Sequence, residues 1–154
     1  MAPIHLAASA DDVEGVAACI FDGVSPSLPF LERGNTTPLH AAAQSGAAKV
    51  VAYLLDHCGV DINEMDSGNR TALYWSAISP DLGAVGCLLL RKGADPTLPD
   101  RRGYTPLMQA SSYGRVQLVT ALLQDPRVEV DVCPPSDEGG HVYYGFSAVL
   151  QAGR

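Results

Sequence analysis

The tetrapeptide Thr37-Pro38-Leu39-His40 returns as Thr71-Ala72-Leu73-Tyr74 and again as Thr105-Pro106-Leu107-Met108, each time 34 residues on. The same step carries Leu54-Leu55 to Leu88-Leu89 and Leu122-Leu123, Val51 to Val85 and Val119, and Asp61 to Asp95. One coincident tetrapeptide would say little. A whole register shared by three units makes the chain a row of like bricks. Composition fits that reading: 47% of the 154 residues are hydrophobic and only 18% charged, enough apolar mass for a packed core and too little charge for a disordered chain.

Each brick reads as two short helices. In the unit that opens at Gly34, Thr37 offers an N-cap oxygen, and Pro38 takes the first helical position, where its missing N–H costs nothing. Leu39, Ala42 and Ala43 then share one face, and Gly46 can take the left-handed conformation that ends the helix. Val50, Val51, Leu54 and Leu55 form the apolar stripe of a second helix, which Gly59 closes. Neither helix can bury its stripe alone, so the units must cover one another in a continuous core. The fold expected is an all-α solenoid of stacked helix-turn-helix units with short β-turn or hairpin loops.

These residues resemble the ankyrin repeat family, whose signature T-P-L-H-x-A is matched by Thr37–Ala42. The resemblance covers nearly the whole chain as a single domain, with repeats near 2–34, 35–68, 69–102 and 103–144 and a partial one at 145–154. In the first repeat Pro3, Ile4 and His5 stand for Pro38, Leu39 and His40 with a one-residue slip. Three departures carry expectations. Thr71–Tyr74 lacks both the proline and the histidine. Ser79-Pro80-Asp81 replaces the inter-helix glycine, so Ser79 is expected to cap a helix with Pro80 in its first turn. From Thr105 to Ser147 the interval is 42 residues, eight above the period, which points to an enlarged loop at 125–144 able to act as a recognition finger or to stay passive. Because the first repeat starts at Ala2 and the last stops within its first helix, the expectation is either a piece of a longer array or an atypical short one, with self-association through uncapped ends as a third alternative.

Chemistry is sparse. Among His5, His40, His57 and His141 there is no H-x-E or H-E-x-x-H spacing, and Cys19, Cys58, Cys87 and Cys133 form no C-x-x-C pair, so no metal site is expected. No G-x-S-x-G elbow or P-loop is present, and no nucleophile–base–orienter set emerges; the expectation is a non-enzyme with no catalytic residue and no cofactor. The family resemblance implies that the rings of His5 and His40 hydrogen-bond the backbone of an adjoining loop, and His57 is expected to face the last carbonyls of its helix. Reduced, buried thiols fit an intracellular setting, cytoplasmic or nuclear. The N-terminus has no basic region or apolar core of a signal peptide, and no apolar run is long enough for a bilayer. A net charge of −7 disfavours nucleic acid and anionic membrane as partners.

What remains is surface. The resemblance implies protein–protein recognition, as an adaptor or scaffold, through the loop tips and the exposed side of each first helix. The loop positions are Arg33 and Thr36, then Ser67 and Arg70, then Arg101, Arg102 and Tyr104; the helix positions are Gln44 and Ser45, then Ile78 and Ser79, then Ser112 and Tyr113. Four of the ten basic residues, Arg33, Arg70, Arg101 and Arg102, fall at these tips. They form either a cationic stripe for an acidic or phosphorylated segment, or a set neutralised locally by Glu32, Asp66 and Asp100. Trp75 is expected to pack between repeats, and Tyr104 and Tyr113 to meet a partner. The other reading keeps the array as the regulatory or substrate-recruiting part of a larger enzyme.

Overall fold

The computed structural model describes residues 3–81 and 83–130. In chain order they form α1 (Pro3–Ser9), α2 (Val13–Phe21), a 3-10 turn at Leu31–Arg33, α3 (Pro38–Ser45), α4 (Ala48–His57), α5 (Ala72–Ser76), α6 (Ala84–Arg91), α7 (Pro106–Ser112) and α8 (Val116–Leu123). The described residues contain no strand, only a single antiparallel bridge between Phe30 and Thr36. The all-α solenoid expected from the repeat is what the chain forms. Most of the enlarged loop expected at 125–144, with Cys133 and His141, and all of the partial unit at 145–154 lie outside the described residues.

The helices stack in two files. α1 packs on α3, α3 on α5 and α5 on α7, while α2 packs on α4, α4 on α6 and α6 on α8. Leu39, Val50, Val51, Leu54, Leu73, Leu89, Leu107, Leu118 and Leu122 fill one core that runs along the stack. In the first file the alanines Ala42, Ala43 and Ala72 are fully buried, so small side chains set how closely α3 and α5 approach. Gly86 does the same in the second file. A Cβ there would sit 2.7 Å from both terminal methyls of Leu118 in α8 and 2.7 Å from the Ser76 hydroxyl in α5.

Capping follows the threonines. Thr37, Thr71 and Thr105 all hold extended backbone at the N-cap. The Thr71 and Thr105 hydroxyls accept from the N–H groups of Tyr74 and Met108. Thr37 and His40 form a reciprocal capping box, in which the ring Nδ1 accepts the Thr37 N–H at 3.1 Å. Since Nδ1 accepts, the proton is on Nε2, which donates to the carbonyls of Glu64 and Arg70, both at 3.0 Å. His5 likewise meets the Thr36 carbonyl through Nε2 at 3.0 Å. Each buried ring therefore ties its own repeat to the loop of the next. The His57 ring, by contrast, stacks on Tyr53 at 5.2 Å.

The inter-helix turns also stitch repeat to repeat. Gly46 is left-handed, as expected, at φ 79. Asp11 holds the same conformation in the first repeat and sends its carboxylate across to accept from the N–H groups of Lys49 and Val50, capping α4 where Ala47 has no side-chain oxygen to offer. The expectation at Ser79-Pro80 is corrected. Ser79 does not open a helix; it is buried in a turn, and α6 begins at Ala84. Asp81 supplies the cap, accepting from Gly83 at 3.1 Å and Val85 at 2.6 Å. An aspartate carboxylate can accept from two N–H groups at once, which a serine buried behind a proline is not placed to do. Arg115 completes the stitching by donating from Nε to the Ala77 carbonyl at 3.0 Å.

Two predictions follow from this packing. Gly86→Val should lower unfolding stability by about 1–3 kcal/mol, because the added methyls must displace Leu118 in an already filled core; chemical denaturation reads it, and an unchanged midpoint would refute the close approach. The second concerns pH. Burial holds the His40 imidazole below its ordinary range, outweighing the Asp66 charge and the carbonyls that favour protonation, and burial lowers His5 as well. The unfolded chain takes up these protons near pH 6.5, the folded chain only at lower pH. The contribution of the neutral rings is thus complete above that value and is lost as pH falls beneath it. The denaturation midpoint should drop on going from about pH 7.5 to about pH 5.5.

Candidate interaction surface

The loop tips owe their shape to one residue type at one register position. Asp66 is buried, and its Oδ1 accepts from the N–H groups of Gly68 at 2.8 Å and Arg70 at 3.0 Å. Asp100, one repeat on, accepts from Arg102 at 2.9 Å and Tyr104 at 2.8 Å in the same way. An aspartate side chain is the right length to close a turn on the N–H two residues ahead. Glu32 holds the corresponding position in the first loop and is exposed; there the turn is closed by the Phe30–Thr36 bridge and a left-handed Gly34 instead. Successive tips are joined by the backbone, Ser67 N–H to the Gly34 carbonyl and Arg101 N–H to the Gly68 carbonyl, both at 2.8 Å.

The remaining Asp66 oxygen builds a cluster. Oδ2 accepts from Arg70 Nε at 2.9 Å, from the far nitrogen of the same guanidinium at 2.9 Å, and from Trp75 Nε1 at 3.0 Å. The guanidinium lies 4.2 Å from the centre of the Trp75 ring. Burial pushes the Asp66 carboxyl up, but the hydrogen bonds from Arg70, Gly68 and Trp75 outweigh it and hold the group below the usual carboxylate range. Arg70 is therefore turned inward, and the local neutralisation weighed from the sequence holds for it. It does not hold for the others. Arg33, Arg101 and Arg102 are exposed and make no ion pair among the described residues, Glu32 faces solvent, and the outer oxygen of Asp100 accepts the Tyr74 hydroxyl at 3.0 Å. Burial and then the Asp100 charge push that phenol well above its ordinary range.

Two shallow cavities open along this face. The first, about 180 Å³, brings together Arg33, Thr36, Gln44 and Ser45 with Trp75 and the two buried histidines. The second, about 380 Å³, brings together Arg102, Tyr104, Ser112 and Tyr113 with Tyr74 and Asp100. Ser67, Arg70, Ile78 and Arg101 line neither. Ser67 and Arg101 are exposed on the tips, whereas Ile78 is half-buried and Ser79, expected on the same exposed side, is fully buried in the turn after α5. Trp75 is half-buried and packs against the core, and Tyr113 is 53% exposed at the C-cap of α7. Leu31, Met65 and Pro99 stand one repeat apart on the tips, with Leu31 76% and Met65 41% exposed and Pro99 also open to solvent. The residue-by-residue reading of the sequence passed over this apolar column. Its signal was the same 34-residue step, applied to loop positions where polar side chains are usual.

No group of three or more metal-ligating side chains occurs among the described residues, and no described helix is long and apolar enough to cross a membrane. Cys19, Cys58 and Cys87 are unpaired, half-buried thiols.

The Asp66 cluster yields a direct prediction. Asp66→Ala leaves Arg70, Trp75 and two backbone N–H groups without their acceptor, and should lower stability by about 2–4 kcal/mol. Trp75 is the one tryptophan of the sequence, so its fluorescence reports both the unfolding and the loss of its hydrogen bond.

Comparison with known proteins gives a consistent answer. The family model described as ankyrin repeats (3 copies) matches residues 4–100 and 58–133. An ankyrin repeat protein of Rickettsia bellii (strain RML369-C) is 34% identical over 117 residues, covering 75% of this chain and 63% of that protein. The human transient receptor potential cation channel subfamily A member 1 is 28% identical over 79% of this chain, which spans 11% of the channel. The NAD-dependent deacetylase sir2B of Dictyostelium discoideum is 30% identical over 60% of this chain, which spans 13% of that enzyme. The chain thus covers a little under two thirds of one of these relatives and small fractions of the other two. With its register, its stacked helix pairs and these matches, the chain belongs to the ankyrin repeat family, whose repeats are protein–protein interaction modules.

Proposed function

We propose that the chain is an adaptor or scaffold element that holds another polypeptide against its loop tips and the adjoining exposed sides of its first helices. The observation that carries this reading is the division of the surface into used and unused groups. Arg70, Asp66, Asp100 and Tyr74 are committed to holding the tips in shape, while Arg33, Arg101, Arg102 and Tyr113 are exposed, all but Arg101 lining one of the two cavities. A rigid scaffold with uncommitted arginine and tyrosine side chains on one face meets the physical requirements of a recognition surface, since little ordering is needed when a partner arrives.

The length of the relatives favours a second reading of the same surface. The sir2B deacetylase carries a similar stretch as 13% of its length, so an array of this kind can be one part of a larger enzyme, and in this reading the chain is its regulatory or substrate-recruiting segment. The two readings share the contact surface and differ in what is covalently attached. The mass of the native protein separates them.

The surface itself is tested by affinity capture with the wild-type chain and an Arg101→Glu/Tyr113→Ala variant of matched circular dichroism. The wild type should retain specific polypeptides that the variant releases. Equal retention of every captured protein would remove this face from consideration.

A further inference from the structure

Exposed charge is not spread evenly along the loop tips, although each tip carries an exposed apolar residue, Leu31, Met65 or Pro99. Arg33, Ser67 and Arg101 hold the same register position in three successive tips, so an exposed cation stands at each end and a neutral serine in the middle. The one arginine of the middle repeat's tip is Arg70, and its guanidinium is held by Asp66 and Trp75. The middle tip therefore offers apolar surface without a free cation: Met65 is 41% exposed, and Trp75 and Ile78 of the same repeat are half-buried. The first cavity adjoins Arg33 at one end and the second adjoins Arg102 at the other. Against a net charge of −7, two separated positive points on a single face are a selective feature rather than a general one.

The repeat sets the distance between them. Arg33 and Arg101 are two repeats apart, and helices packed through alanine-sized side chains lie about 8–10 Å apart, which puts the two ends about 16–20 Å from one another. An extended or polyproline-type chain advances about 3.1–3.4 Å per residue, so it covers that span in about five or six residues.

Resting on the recognition surface described above, we propose that the partner is an extended segment bearing two acidic groups about five or six residues apart with an apolar side chain midway. One acid pairs with Arg33 and the other with Arg101 and Arg102, while the apolar residue seats against Met65, Trp75 and Ile78. A second free cation in the middle would have made the face indifferent to acid spacing. Its internal neutralisation by Asp66 is what gives the face two ends.

The test is a selection of random 12-residue displayed peptides on the full chain, followed by fluorescence anisotropy of the enriched peptides against variants. Enriched peptides should show the acid–apolar–acid order at this spacing. Arg33→Glu and Arg101→Glu/Arg102→Glu should each weaken them by about tenfold or more. Arg91→Glu, which makes the same charge change as Arg33→Glu on exposed α6 surface, should alter affinity less than about threefold. A synthetic peptide of the same composition with its two acids adjacent should bind at least about tenfold more weakly. Enriched peptides that need the tip arginines but lack the spacing would overturn this inference and leave the recognition surface standing. Peptides indifferent to the arginine variants, or no enrichment, would overturn both. Equal weakening by Arg91→Glu would reduce the effect to bulk charge and also overturn it.

Discussion

The longest described helix has ten residues and the shortest five. Isolated helices of such length are marginal in water, because too few hydrogen bonds follow a costly nucleus. Burial against the neighbouring repeat is what holds each of them, and every other feature of the molecule inherits that dependence. The contacts are also mutual: Leu118 of α8 fills the space left by Gly86 of α6, and the Ser76 hydroxyl of α5 meets the same glycine. Stability of this kind accumulates along a row. That is why the polar devices at the helix ends reach across to the adjacent repeat so often.

Those devices divide into two sets with different consequences. Around the inter-helix turns, Asp11 caps the helix of the following repeat and Arg115 caps a carbonyl of the preceding one, so the angle between repeats is held by directional bonds as well as by packing. At the loop tips, His5 and His40 donate to carbonyls in the next loop while Asp66 and Asp100 close the turns. In His40 the ring must also be neutral, because its Nδ1 accepts the Thr37 N–H while Nε2 donates. The tips are accordingly rigid through groups that no partner needs to touch, and the side chains left over are the ones offered to solvent.

Much of this was legible in the chain itself. The 34-residue step, the threonine caps, the left-handed Gly46 and the alanine-lined first helices all rest on local rules that hold wherever the residues lie. Other features were not. Ser79-Pro80 has the local look of a helix start, but Asp81 makes the better cap. Asp11 has no visible reason to be left-handed until α4 is seen to need its carboxylate. The exposed column Leu31, Met65 and Pro99 obeys the repeat, yet its significance depends on exposure, which the residue type alone would have argued against.

The arginines mark the boundary most clearly. The sequence alone determined that the fold is a row of helix pairs and that four arginines sit at its loop tips, because periodic burial and turn chemistry depend on residue order. It left open whether their charges were free or neutralised, since every tip also carries an acid. Only the tertiary structure decided that Arg70 is taken by Asp66 and Trp75 while Arg33, Arg101 and Arg102 are exposed without an ion pair among the described residues. The physical reason is reach. Asp66 turns inward to where the Arg70 guanidinium and the Trp75 indole N–H both reach its Oδ2, whereas the Asp100 Oδ2 meets the Tyr74 hydroxyl with no described arginine at ion-pair distance, and Glu32 faces solvent. Ion pairing depends on angstroms and on competing donors, which the order of residues does not record.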